Sequence, residues 1–176
     1  HVYESCINDI IKSISDKNKN YYNNIDKLRD LINKDITYEI VFMPYKASMW
    51  DSMESVWEAA SHDKNCICSV IPIPYYDRDS GGNLAKMHYE GDMFPENVPI
   101  VNYREYDLNI NRPDVIYIHN PYDEYNLISS VSPEFYVPEL KKKCEKVVYI
   151  PYFIINDDDT NSHFILNPGC VYTDIV

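Results

Sequence analysis

"YEIVFMPYKASMWDSMESVWEAASHD", Tyr38 to Asp63, is the stretch whose reading decides the fold. Its first six residues are an almost continuous apolar run, the pattern of a parallel strand covered on both faces. A Pro-Tyr break follows. Asp51 and Glu54 then have the capping-box form, and Met53, Val56, Trp57 and Ala60 recur at the spacing of one inward helical stripe. Strand, loop and capped helix make half of a βαβ unit, and such units build a parallel sheet.

Working downstream, "CICSVIPI" (66 to 73) reads as the second strand. Residues 75 to 98 contain Gly81-Gly82 and no convincing period, which predicts a long ordered excursion with at most a short helix. "PIVNY" (99 to 103) reads as a third strand, "REYDLNINRPD" as a polar link with a helical turn, and "VIYIH" (115 to 119) as a fourth strand. "SPEFYVPELKKKC" (132 to 144) predicts a helix with Ser132 as N-cap and Pro133 at its first position, interrupted or restarted at Pro138. "KVVYIP" and "GCVYTDIV" read as fifth and sixth strands, separated by the acidic loop "INDDDTNSH". The fold expected is α/β: a Rossmann-like, doubly wound, mainly parallel sheet over 38–176.

Upstream, Ile7, Ile10, Ile11 and Ile14 fall at helical spacing, and Ile25, Leu28, Leu31 and Ile32 repeat the pattern after a polar break. Residues 1–37 are therefore expected to form a helical arm. The abrupt opening at His1 and the strand-like end suggest a fragment of a longer two-domain chain, with His1 itself a scar.

The chain has 176 residues, enough for one ordinary domain, and a formal charge of −12 from 16 basic and 28 acidic residues. That charge repels phosphate backbones and argues against nucleic acid as a partner. No apolar run approaches the roughly 20 residues that a bilayer span needs, and no export leader is visible. Cytoplasmic location is expected. The five cysteines form neither a C-x-x-C pair nor a regular framework and read as free thiols, with Cys66 and Cys68 in the core. The string Asp157-Asp158-Asp159 reads as a solvated loop, the three lysines at 141 to 143 as an exposed helix end, and neither a metal nor a cofactor is expected.

Four apolar runs end in Pro-Tyr: at Tyr45, Tyr75, Tyr122 and Tyr152. Proline lacks the N–H that a ladder requires, so each break ends a strand. If the strands are parallel, the breaks share the carboxyl edge, where open α/β sheets hold ligands. Residues at that edge chosen as ligand-holding are Lys46, Ser48, Trp50, Tyr75, Asn120, Tyr122, Asp123 and Tyr152. Lys46 and Ser48 precede a helix N-terminus that suits an anion, although no P-loop motif occurs. Trp50 is a ring to stack on a ligand or to cover the core. His119 is the candidate general base, with Asp123 or Glu124 to orient it; the two carboxylates are adjacent and diverge.

At "VIYIHNPYDEY" and "LKKKCEKVVYIPYF", preceded by "VFMPYKASMWDSMESVW", the chain resembles the N-terminal Rossmann-like half of the CDP-glycerol glycerophosphotransferases, GT-B-fold enzymes that build the poly(glycerol phosphate) chains of teichoic acids. The resemblance spans Tyr38 to Val176. It implies an acceptor-side domain, a hydroxyl acceptor, a nucleotide-diphosphate donor held mainly by a missing second domain, and work at the inner face of the cell membrane. In that family a strand runs into His-Gly-Thr-Pro, whose histidine is taken as the base. Here the corresponding strand runs into Pro151-Tyr152-Phe153, and no His-Gly dipeptide exists. The alternative is a non-catalytic α/β ligand-binding or regulatory module.

Overall fold

The computed structural model describes residues 2–153 and 166–176. Asp157 to Asp159 and His163, read above as part of a solvated acidic loop, lie outside the described residues. The chain divides into two compact units, 1–37 and 38–176.

The first unit is a helical pair, α1 (Val2–Ser15) and α2 (Tyr21–Asp35). α2 starts at Tyr21, four residues before Ile25, where the apolar period begins. The Tyr3 hydroxyl donates to the Asp35 carboxylate, and Asn24 Nδ2 donates to Ser13 Oγ at 3.0 Å. No described residue of either helix is buried, and Ile7, Ile11, Ile14, Ile25 and Ile32 are exposed.

The second unit is α/β. Its main sheet is parallel, in the order β2-β1-β5-β7, built from β1 (Tyr38–Met43), β2 (Cys66–Val70), β5 (Val115–Ile118) and β7 (Lys146–Tyr149). In chain order the strands lie 2-1-3-4, which is compatible with a Rossmann-like doubly wound sheet. The apolar run of β1 alternates between two cores. Ile40 and Phe42 face α3 (Asp51–Ser61) and pack with Trp50, Met53 and Trp57, while Val41 and Met43 join Ile116, Ile118, Val137, Leu140 and Val147 on the other face. Burial of both faces is why this strand reads as continuously apolar.

Three expectations about strands are corrected. Residues 75 to 98 form a hairpin, β3 (Tyr75–Arg78) and β4 (Leu84–His88), and β6 (Ser129–Val131) pairs with β3 to complete a separate antiparallel sheet, β4-β3-β6. These strands are short, and their outer residues are polar or exposed, so they carry little period. Residues 99 to 103 contribute only an isolated bridge, Ile100 to Val70, because Pro99 cannot donate and the chain turns away after Val101. The supposed sixth strand begins as a helical turn, α6 (Pro168–Val171), capped by Asn167 accepting from the Cys170 N–H; only Ile175 bridges to Val148.

Two helix expectations are also corrected. Residues 132 to 144 form a 3-10 turn (Pro133–Phe135) and then α5 (Val137–Leu140) in place of one helix; the break expected around Pro138 falls at Tyr136, the extended N-cap of α5, and Pro138 stands in the first turn, where its missing N–H costs no helical bond. Ser132 makes no side-chain cap. In α3 the N-cap is Trp50, with no side-chain cap bond, so Asp51 and Glu54 act through the dipole of the first turn rather than as a capping box. The helical turn expected in the polar link is α4 (Leu108–Asn111).

Candidate functional site: the tyrosine-rimmed edge of the parallel sheet

From β1 the chain steps to β2 on one side and later to β5 on the other, so the strand order reverses between β1 and β5. Crevices for ligands open at such reversals, outside the carboxyl ends of the strands. Pro44 follows β1 directly, and Tyr45 and Lys46 come next. His119, Asn120, Pro121 and Tyr122 follow β5.

The Pro-Tyr rings converge there. Tyr45 meets Tyr75 edge-on at 5.5 Å and His119 edge-on at 5.0 Å, and His119 meets Tyr152 at 6.0 Å. Tyr122 and Tyr152 lie close enough to Tyr45 that their phenols, together with its burial, hold the Tyr45 hydroxyl well above the usual range; burial is the larger cause. The reading from sequence leaves Tyr45 out of the ligand-holding residues, although the Pro-Tyr repeat itself marks it.

His119 is fully buried. Its Nε2 accepts a hydrogen bond from the Tyr45 N–H at 3.0 Å, which places the ring proton on Nδ1, and among the described residues Nδ1 makes no hydrogen bond of good geometry. Burial pushes the imidazole down to about 3; the Met49 carbonyl pulls weakly upward and the Lys46 ammonium pushes further down. The ring is thus neutral near pH 7, with its one acceptor nitrogen engaged in tying β5 to the loop after β1. Among the described residues no hydrogen bond joins it to Asp123 or Glu124.

Asp123 and Glu124 do diverge. Glu124 is exposed, whereas Asp123 is 2 % exposed and has φ 45°, in the left-handed region. Asp123 Oδ2 accepts from the Val137 N–H at 2.9 Å, its carbonyl accepts from Ser130 Oγ at 2.9 Å, and Oδ1 lies 3.4 Å from Asn120 Nδ2. Burial pushes its carboxyl up to about 7, against the pull of Val137 and Asn120. Asn120 Oδ1 is buried and has no partner among the described residues. A narrow pocket of about 10 Å³, room for about one water or hydroxyl, opens beside these groups, lined by Tyr45, Asn120, Tyr122, Asp123, Asn126 and Ser129 among others.

The helix entry expected to hold an anion is already occupied by a carboxylate of the protein. Glu90 Oε2 accepts from the Ala47 N–H at 2.8 Å, and Oε1 accepts from the Tyr75 hydroxyl at 2.6 Å. Burial first, and Glu90 second, push the Tyr75 phenol up to about 12. Lys46 lies over the rings of Tyr45 and Tyr75, at 5.4 and 5.0 Å. Ser48 is exposed on the following 3-10 turn. Trp50 is 3 % exposed inside the α3-covered core, against Phe42, Trp57 and Phe94, so of the two uses weighed for its ring it serves as cover. No local signal in the sequence marks Glu90; its role depends on the loop after β4 folding back over β1.

Comparison of this chain with protein-family models, with curated proteins and with solved structures returned no match in any of the three.

Proposed function

We propose that the unit 38–176 is a ligand-binding α/β module that holds a small hydroxyl-bearing molecule, of the polyol or sugar class, at the carboxyl ends of β1 and β5. One observation carries this reading: Asn120 Oδ1 is a buried acceptor without a donor among the described residues, beside a narrow pocket walled by Tyr45, Tyr122 and Asp123 with room for one hydroxyl, so a single hydroxyl of the ligand enters it while the rest lies on the tyrosine rim. An unmatched buried acceptor costs about 1–3 kcal/mol, and a ligand hydroxyl supplies the missing donor. The tyrosine rings add flat apolar surface with polar tips, which suits a molecule that alternates C–H and O–H. Proton transfer by His119 is not part of this reading, because Nε2 is engaged and the ring is closed off.

The test is titration of the 176-residue chain with glycerol and with ribitol, followed by amide shifts. Saturable shifts at Asn120, Tyr122 and Tyr45 are expected, with affinity about tenfold weaker in Tyr122→Phe and in Asn120→Ala. Uniform shifts across the spectrum, without saturation at those residues, would overturn it.

The acceptor-side half of a CDP-glycerol glycerophosphotransferase, one half of a GT-B fold, is the second reading. It is favoured by the parallel order with its reversal between β1 and β5. Under it the same pocket receives the acceptor hydroxyl, a nucleotide-diphosphate donor sits on another domain, and a base comes from outside this edge or His119 releases Tyr45. His119→Ala in the complete protein discriminates: abolished transfer with an intact fold returns His119 to the role of base, and retained transfer removes it.

A further inference from the structure

A second cleft, of about 370 Å³, lies away from the Pro-Tyr rings and is lined by Tyr103, Arg104, Tyr106, Leu108, Phe135 and Lys143. Its volume falls in the range of small-molecule sites, roughly 300–1,000 Å³. Tyr106 donates to Glu39 Oε1 at 2.5 Å near the start of β1, and Lys143 comes shortly before β7, so these two walls stand at the amino ends of the strands. The floor is fixed: Leu108 and Phe135 are buried in the core of that face, and Tyr103 meets Phe135 edge-on at 6.2 Å.

The charged lining is balanced, Arg104 and Lys143 against Asp107 and Glu134, in a chain of net charge −12. The Arg104 guanidinium lies 5.4 Å from the Tyr103 ring centre, and its Nε donates to the Tyr103 hydroxyl at 3.0 Å. Lys143 Nζ donates to the Glu134 carbonyl at 3.4 Å. Among the described residues neither cation has a carboxylate within 4.0 Å. The two acids that line the cleft are turned to local bonds, Asp107 Oδ1 capping α4 through the Asn109 N–H at 2.8 Å and Glu134 Oε1 accepting from Ser132 Oγ at 3.3 Å. Two cations not engaged in ion pairs, above aromatic walls, match a ligand whose flat ring stacks and whose negative group faces outward.

We propose that this cleft is a binding site for a planar aromatic or heterocyclic ring that bears an anionic group, either a phosphate or a carboxylate. Arg104 and Lys143 take the anion, and Tyr103, Tyr106 and Phe135 take the ring. The site is separate from the pocket beside Asn120 and does not depend on the function proposed for that pocket.

The experiment is calorimetric and amide-shift titration of the 176-residue chain with three probes: AMP, 4-hydroxyphenylacetate and inorganic phosphate. Saturable binding of at least one ring-bearing anion is expected, with shifts at Tyr103, Tyr106 and Lys143. Inorganic phosphate should bind about tenfold or more weakly, and the Arg104→Ala/Lys143→Ala double variant should lose about tenfold or more in affinity. Tyr122→Phe should leave this binding unchanged, which keeps the two sites distinguishable. Preference for AMP assigns the anion as a phosphate, and preference for the arylacetate assigns it as a carboxylate. Equal binding of inorganic phosphate and AMP, indifference to the double variant, or no saturable binding of either ring probe would overturn the proposal. Far-UV circular dichroism confirms the fold of the double variant, whose altered side chains make no ion pair.

Discussion

Asp123 carries two penalties at one residue: a left-handed backbone and a buried carboxyl. Burial raises its folded pKa to about 7, above the unfolded value near 4, so the folded state binds the proton more tightly. Its stabilising share is therefore complete below about pH 4 and is lost as pH rises through about 7, a change on the order of 4 kcal/mol. His119 has the opposite sign: with its folded pKa depressed, its share is present above about 6.5 and is lost as pH falls towards about 3. Asp123→Asn separates the two. Asparagine tolerates positive φ, still accepts from Val137 and stays neutral, so the variant should lose the decline between pH 4 and 7 and be more stable than the parent at pH 8 by about 1–3 kcal/mol. Urea unfolding at a series of pH values measures this; identical pH slopes for parent and variant would show that Asp123 does not titrate in that window.

The elements around the site depend on close backbone approach. Gly169 in α6 donates its N–H to the Pro121 carbonyl at 2.8 Å, and a Cβ there would lie 2.7 Å from Pro121 Cα. Backbone cannot step aside as a flexible side chain does. Gly169→Ala should destabilise by about 1–3 kcal/mol and shift the Pro121 to Asp123 loop, read by urea unfolding and by the amide signals of Tyr122 and Asp123. A wild-type midpoint would contradict the packing of α6 on that loop. In the β3–β4 turn Gly82 has φ 80° and no atom near a would-be Cβ, so Gly82→Ala should cost about 1 kcal/mol, through backbone strain alone.

At the scale of the molecule, the two units differ in how they bury surface. The parallel sheet of 38–176 is covered on both faces, whereas no described residue of the two helices in 1–37 is buried. Helical pairs this short are marginal in water, since nucleation is unfavourable and propensity gains are small. A peptide of residues 1–37 should show weak helicity by far-UV circular dichroism, while 38–176 alone should unfold in one cooperative transition. A strongly helical monomeric peptide would show that local propensity suffices. The charge is also uneven: acids and bases balance in 1–37, and the whole acid excess lies in 38–176.

What the sequence determined by itself is the part of the fold in which each residue's neighbours are implied by its own period. β1, β2, β5 and β7 are legible because both of their faces are apolar, α3 is legible from its stripe through Met53 and Trp57, and the Pro-Tyr repeat marked the edge where the rings meet. Tertiary structure alone decided the rest. β3 and β6 lie some fifty residues apart in the chain, and their pairing has no local signature. Glu90 reaches the Ala47 N–H only because the hairpin folds back over β1, and so it takes the place left for an anion. His119 looks the same in sequence whether it is a base or a buried link. That choice rests on whether water and a proton reach Nε2, and a backbone N–H seventy-four positions away already fills it.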